Sequence, residues 1–393
     1  MRRRFTIHKD STKSFDPNNY LTIEALEDNL TVTFTNNIEY GIDGKGWLKL
    51  KAFSESQSIS AGQTLSFRGE FTPNISKGIG TFTINKKCSL KGNCMSMLFG
   101  DNAANNFSLS GKNWAFYKLF YNCSNIVNVS RNFLPAATTL AEYCYYNMFS
   151  GCTSLTTAPE LPATTLASNC YERMFFKCTS LTTAPELPAT TLASNCYYNM
   201  FSNCTSLTTA STLPATILTS SCYERMFSRC TSLTTAPELP ATTLANYCYS
   251  SMFSGCISLT TAPTLPATTL ASDCYEGMFQ NCTSLTTAPE LPATTLADYC
   301  YSSMFRDCTS LITVPSNLLP ATTLANYCYQ YMFYNCTRLN YIKCLATDIS
   351  ATNCTSNWVS GVASTGTFVK AAGMTSWTTG VDGIPSGWTV QDA

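Results

Sequence analysis

From Cys144 onward the apolar positions follow a long, regular rhythm. Eight times the chain reads Cys-Tyr-x-x-Met-Phe-x-x-Cys, starting at Cys144, Cys170, Cys196, Cys222, Cys248, Cys274, Cys300 and Cys328. The copies lie 26 residues apart, with a last step of 28. With the first Cys of a unit counted as zero, the fixed apolar residues stand at 0, 1, 4, 5 and 8. At about 100° per residue these span an arc of about 140°, so the pattern predicts a short helix with its Cys, Tyr, Met and Phe side chains inward. Positions 2, 3, 6 and 7 are mostly polar and face outward, as with Glu172, Arg173 and Lys177.

The segment after each helix, as at Thr153 to Pro162, is Thr-Ser-Leu-Thr-Thr-Ala-Pro-Glu-Leu-Pro. Threonine suits strands, and proline interrupts both helix and ladder, so Ser154 to Ala158 reads as a short strand ended by Pro159 and Pro162. The following Ala163 to Ala167 reads as an extended arc leading to the next helix. Leu155, Ala158, Leu161 and Leu166 are expected inward, and Ser168-Asn169, Asp298 and Asn326 read as helix N-caps. A unit this short cannot bury its own apolar face, so it must stack on its neighbours. Stacked strands about 4.8 Å apart place like on like. One internal column is then Cys152, Cys178, Cys204 and Cys230, and another is Phe149, Phe175, Phe201 and Phe227. Position 2 reads Tyr146, Glu172, Tyr198, Glu224, Ser250, Glu276, Ser302, Gln330, so Glu never follows Glu. Stacked like charges repel, which favours such alternation; duplication of a two-unit block gives the same text.

The pattern decays at both ends. Cys94, Leu98 and Phe99 match positions 0, 4 and 5; Leu119, Phe120 and Cys123 match 4, 5 and 8. Downstream, Cys354 keeps the period while Trp358 and Val359 replace Met and Phe. Residues 1–86 instead alternate at period two in Leu21-Thr-Ile, Leu30-Thr-Val-Thr-Phe, Trp47-Leu-Lys-Leu, Thr64-Leu-Ser-Phe and Gly80-Thr-Phe-Thr-Ile. The expected organisation is an N-terminal sandwich-like β-domain (1–86), divergent capping repeats (87–133), regular repeats (134–345) and a small β cap (346–393). The fold class is an α/β repeat solenoid behind a small all-β domain.

Composition narrows the function. Lys and Arg number 24, as do Asp and Glu, so no net charge draws the chain to nucleic acid. The dense basic cluster is Arg2-Arg3-Arg4 with His8 and Lys9, which reads as a solvated terminus. No stretch approaches the roughly 20 apolar residues of a membrane helix, and His8-Lys9-Asp10-Ser11 stands where a signal peptide needs an apolar core. Membrane insertion and Sec export are therefore not expected.

Met148 to Pro159, Met-Phe-Ser-Gly-Cys-Thr-Ser-Leu-Thr-Thr-Ala-Pro, resembles the unit of the BspA-like leucine-rich repeats, with its Ala-Phe-x-x-Cys-x-x-Leu core and Pro-terminated strand. Phe149, Cys152 and Leu155 take the matching places, and the likeness runs in register from about Cys94 to Cys354. The chain departs from that pattern by using Met for Ala, a longer unit and a second Cys at position zero. The resemblance implies a surface protein of Bacteroidetes or other host-associated microbes, linked to adhesion. Cysteine-rich variants with a leading β-domain are also similar to products of gut Bacteroides and their phages. The implied partners are a host-cell surface protein or glycan, or other surface or virion proteins, with an extracellular location on a bacterial surface or a phage particle.

Chemistry is harder to assemble. Of 21 cysteines, sixteen occupy the two fixed repeat positions, which is packing behaviour. Two Cys eight residues apart lack the close spacing of zinc ligands, and His8 is the one histidine. Adjacent-turn disulfides lie within reach, but parallel side-chain vectors suit the required torsion poorly, so a buried thiol ladder is favoured. Glu160, Glu186, Glu238 and Glu290 read as a solvated rim. No cofactor, metal site or catalytic constellation is expected. The candidate contact surface is the threonine row Thr156, Thr182, Thr208, Thr234, Thr260 and Thr286. The variable outward positions 2, 3, 6 and 7, or the β-domain, are the places for selective recognition. A virion structural or receptor-binding protein is the alternative to an adhesin.

Overall fold

The computed structural model describes residues 14–52, 55–134, 139–312 and 314–393; the basic cluster Arg2–Arg4, His8 and Lys9 lies outside them. The chain divides into two compact units, one of residues 1–163 and 174–186, the other of residues 164–173 and 187–393.

In the first unit the period-two segments become strands: β1 (Leu21–Ala25), β2 (Leu30–Phe34), β3 (Ile38–Ile42), β4 (Lys45–Leu50), β5 (Gln57–Ile59), β6 (Thr64–Arg68), β7 (Phe82–Ile84), β8 (Cys88–Lys91) and β9 (Ile126–Val129). Strands β3, β5, β8 and β9 lie outside the five period-two segments, although Ile38-Glu-Tyr-Gly-Ile also alternates. One sheet runs β4-β3-β6-β1-β8-β9 and the other β5-β2-β7. Leu30, Val32 and Phe34 are almost fully buried while Thr31 and Thr33 are not, the alternation of a half-buried strand. The sheets meet through Phe67 and Phe82, whose ring centroids are 5.0 Å apart. Pairing is antiparallel except that β9 lies parallel to β8, and Asn128 bridges in parallel to Thr157 of the first regular repeat. Phe82 also stacks on Phe120 at 5.3 Å, and Phe120 on Phe149 at 5.6 Å. The β-domain thus contributes a strand pairing and a ring to the repeats of its own unit.

The repeats themselves correct the helix expectation. The one α-helix among the described residues is α1 (Ser96–Phe99), with short 3-10 turns at Pro17–Asn19 and Gly100–Asn105. The Cys-to-Cys segment is a coil of successive tight turns. Amides at even positions close three-residue turns: Met226 N donates to Tyr223 O (3.1 Å), Ser228 N to Arg225 O (3.1 Å) and Cys230 N to Phe227 O (3.0 Å). Amides at odd positions leave the repeat: Tyr223 N donates to Cys248 O (3.0 Å), Arg225 N to Ser250 O (2.9 Å), Phe227 N to Met252 O (3.0 Å) and Arg229 N to Ser254 O (2.7 Å). A helix would keep every amide within its own segment; here half of them tie one coil to the next. Each fourth residue is left-handed, as at Ser221 (φ 53°), Arg225 (54°) and Arg229 (59°), or Tyr143 (56°), Asn147 (54°) and Gly151 (78°). Asn, Asp and Gly, which tolerate that conformation best, fill half of these places in the eight regular repeats, and Tyr, Arg, Ser and Lys take the rest. With no helix, Asn169 is no N-cap but a left-handed corner (φ 55°). Asp298 instead accepts the Asn326 amide at 3.1 Å across adjacent repeats.

The inward face is nonetheless the expected one. A four-residue corner period keeps positions 0, 4, 8 and 1, 5 in phase just as a helix would. Cys222, Tyr223, Met226, Phe227 and Cys230 are at most 1% exposed, and the same positions are buried throughout. Each such Phe contributes about 1.5–3 kcal/mol by leaving water. Leu155, Leu161 and Leu166 are buried, whereas Ala158 is half-exposed and Ala163 takes an inward place. The strand expected over Ser154 to Ala158 shrinks to single-residue parallel bridges, as at Thr235, Thr261 and Thr287, because prolines follow at once.

At the end of the second unit these bridges lengthen into a parallel sheet of β10 (Tyr341–Cys344), β11 (Thr367–Lys370) and β12 (Thr389–Asp392). Trp358, fully buried, stacks on Tyr329 (6.2 Å) and Trp377 (5.5 Å), and its indole N–H donates to Gly383 O at 2.8 Å. These contacts seal the core at this end. No helix among the described residues is long and apolar enough to cross a membrane.

Candidate functional site

All six threonines of the expected row are exposed. Thr156 and Thr182 belong to the first unit, and Thr208, Thr234, Thr260 and Thr286 to the second. Their backbones join neighbouring coils: Thr156 N donates to Val127 O (2.9 Å), Thr260 N to Thr234 O (3.4 Å) and Ile312 N to Thr286 O (3.1 Å). The Thr156 hydroxyl lies 3.0 Å from Asn128 Oδ1 and that of Thr260 3.5 Å from Thr234 O. Thr157, Thr183, Thr209, Thr235, Thr261 and Thr287 beside them are exposed too, so the row is double.

The structure adds a second row. Thr165 bridges Thr191, and Ile217, Thr243, Thr269 and Thr295 bridge in succession, all exposed. These residues lie in the segment expected to be only a connecting arc. The signal that could have found them is the recurring Ala-Thr-Thr-Leu, whose adjacent threonines match the Thr-Thr pair of the first row.

The columns expected in the core are inside. Phe149 and Phe175 stack at 5.7 Å and 3° in the first unit, and Phe201 and Phe227 at 5.6 Å and 6° in the second. Cys152, Cys178, Cys204 and Cys230 are 0% exposed. All 21 cysteines are buried free thiols. The second Cys of a unit also donates a hydrogen bond to a neighbouring coil, from Cys178 Sγ to Phe149 O (3.2 Å) and from Cys230 Sγ to Phe201 O (3.2 Å). Burial pushes these thiols far up, to about 12 for Cys256 and Cys308, so they are neutral packing groups rather than nucleophiles.

The outward coil positions differ from repeat to repeat. In the first unit they carry aromatic rings and lysines: Trp114 stacks on Tyr143 (3.9 Å, 4°), Tyr117 on Tyr146 (5.3 Å), and Lys118 sits 5.0 Å from the Tyr117 ring centroid. In the second they mix acids such as Glu172, Glu224 and Glu276 with Arg173, Arg225, Arg229 and Arg306, among Ser and Asn. Ser250 Oγ donates to Glu276 at 3.4 Å, joining position 2 of successive repeats. Burial pushes the Glu224, Glu276 and Asp273 carboxyls above their usual range, and the Asp273 charge adds to the effect at Glu276. Of the acidic rim, Glu160 pairs with Arg131. Among the described residues no three His, Cys, Asp or Glu side chains come together as metal ligands.

Six copies of the BspA type leucine-rich repeat region match the chain, over residues 117–260 and 238–353. The chain belongs to the BspA-type leucine-rich repeat family. No curated protein matches it. In this member the BspA-type unit keeps its inward Phe, Cys and Leu, as in Phe227, Cys230 and Leu233, all 0% exposed. The repeat surface, not a cleft lined by unlike groups, is what the fold multiplies.

Proposed function

We propose that this chain is a non-enzymatic recognition protein whose coils form a leucine-rich-repeat solenoid presenting an extended surface to a host-cell protein, glycan or matrix protein. Its place is outside the cell, on a bacterial surface or a virion. The observation that carries this reading is the division of the repeat. Inward positions are nearly invariant and buried, while the exposed threonine rows and varied outward coil positions are renewed every 26 residues. Membership of the BspA-type family supports it, since leucine-rich repeats generally mediate binding rather than catalysis. The test is adhesion of the purified full chain to immobilised matrix proteins and to cultured epithelial cells. Saturable binding is expected, weakened by the triple substitution Thr234→Arg, Thr260→Arg, Thr286→Arg. Indifference to that substitution, or no binding to either surface, would refute a role for the threonine rows in recognition.

A further inference from the structure

The β-domain holds a cleft of about 550 Å³, within the size range of small-ligand sites. It opens where β3 begins and β4 and β6 end, lined by Glu39, Lys49, Arg68, Glu70, Phe71 and Asp101 among others. Strand register builds its floor. Glu39 stands opposite Lys49 on one side and Arg68 on the other, so charges alternate across three strands. The network is held in place before any ligand arrives. Arg68 donates through Nε to Glu39 (2.8 Å) and through Nη1 to Asp101 (2.6 Å), and lies 4.3 Å from the centroid of Trp47. Tyr20 OH donates to Asp101 at 2.8 Å. Glu70 and Lys49 stand exposed at the rim and make no ion pair among the described residues. Gly69 lies against the Phe71 ring, where a Cβ would press into it at 2.5 Å.

We infer that this cleft binds a neutral, hydroxyl-rich ligand, that is, an uncharged saccharide, which deepens the recognition reading above and rests on it. Among the described residues, three carboxylates and two cations line the cleft, and Lys49, Glu39 and Arg68 alternate across its three strands. An anionic ligand meets repulsion from the carboxylates, and a cationic one from Arg68 and Lys49. A hydroxyl group donates to a carboxylate and accepts from an ammonium or guanidinium at once, so a polyol satisfies both kinds of group. Because Arg68 is fixed by Glu39, Asp101 and Trp47, little side-chain ordering accompanies binding. The Phe71 ring offers an apolar wall for the C–H face of a sugar.

The test is a printed array of neutral, sialylated and sulfated oligosaccharides probed with the full chain, followed by calorimetric titration of the strongest hit against Glu70→Ala and Lys49→Ala. Neutral sugars are expected to bind and the acidic ones not, with each rim substitution weakening binding about tenfold and leaving the melting temperature unchanged. Binding of no sugar, of anionic sugars alone, or of a neutral sugar indifferent to both substitutions overturns the assignment. The Thr234, Thr260 and Thr286 arginine variant separates the two readings. If it abolishes sugar binding, the site is on the repeats and this cleft is excluded, while recognition stands. If cell adhesion fails but the cleft binds sugar, the repeat-face reading falls alone.

Discussion

The left-handed corners make a prediction whose sign differs between a coil of turns and a helix. Arg229 and Gly255 occupy the same corner of adjacent repeats, at φ 59° and 77°. A non-glycine residue there costs about 1–2 kcal/mol, and glycine returns about 0.5–1 kcal/mol of that as lost chain entropy. Arg229→Gly should therefore stabilise the protein by about 0.5–1 kcal/mol. In a helix the same change would destabilise by about 0.8–1 kcal/mol. By the same balance Gly255→Ala should cost about 0.5–1 kcal/mol, and somewhat more because its new Cβ would meet Arg229 Cγ at 3.1 Å. In a helix it would instead gain about 1 kcal/mol. Because the two sites touch, the double variant, which removes the Arg229 side chain, should lose less than the sum of the single effects. Urea unfolding checks this, read from midpoints at unchanged slope. If Arg229→Gly destabilises and Gly255→Ala stabilises, the corner account is wrong and the segment is a helix.

Phe227, stacked on Phe201 at 5.6 Å and Phe253 at 5.9 Å, should lose about 3–5 kcal/mol on truncation to Ala. Its removal weakens two interfaces of a nearest-neighbour array, so calorimetry should show a broadened or split transition; a sharp transition shifted by less than about 1 kcal/mol contradicts the column. The 21 buried thiols should resist iodoacetamide in the native protein and all react after denaturation, counted by mass spectrometry; native labelling of the repeat cysteines would refute the burial. The raised carboxyls of Glu224 and Glu276 bind their protons more tightly folded than unfolded. Their contribution is thus fully present below the usual 4.5 and lost as pH rises through the raised values. Glu224→Gln with Glu276→Gln should raise the melting temperature near neutral pH and flatten its decline with pH; an unchanged profile would show that burial does not perturb them.

Much of the fold is legible in the sequence because side-chain pattern reports which residues are inside more directly than how the backbone runs. Cys, Tyr, Met and Phe at 0, 1, 4, 5 and 8 fit a period of 3.6 and a period of four equally well, so the burial follows correctly even from a wrong secondary structure. The distinguishing residues are the outward ones. No Val, Ile or Thr stands at positions −1, 3 or 7 in any of the eight units, and Gly151, Gly255 and Gly277 do. A helix tolerates Val and Ile far better than Gly, whereas a left-handed corner reverses that order. The second threonine row is hard to see because Ala-Thr-Thr-Leu is too short to alternate, and its bridges join repeats rather than residues near in sequence. The cleft is invisible for a similar reason. Glu39, Arg68 and Asp101 are brought together by strand register and by the turn after α1, and no spacing along the chain announces them.

The hydrogen-bond pattern also bears on why the surface is free to differ between repeats. Odd-numbered amides lock neighbouring coils, and even-numbered amides close the turns within each one, so the backbone is satisfied without help from outward side chains. Cys, Met, Tyr and Phe fill the interior column by column. What remains at positions 2 and 6 is mixed: Ser150, Ser202, Ser250 and Ser302 are buried there, while larger residues at the same places reach the surface. The first unit spends those places on Tyr117, Tyr121 and Tyr146, the second on residues such as Glu224, Glu276 and Arg306. Where these side chains reach solvent, one outward character can replace another without disturbing the inward columns. That separation of duties is the physical ground for treating recognition as the property the repeats were multiplied to provide.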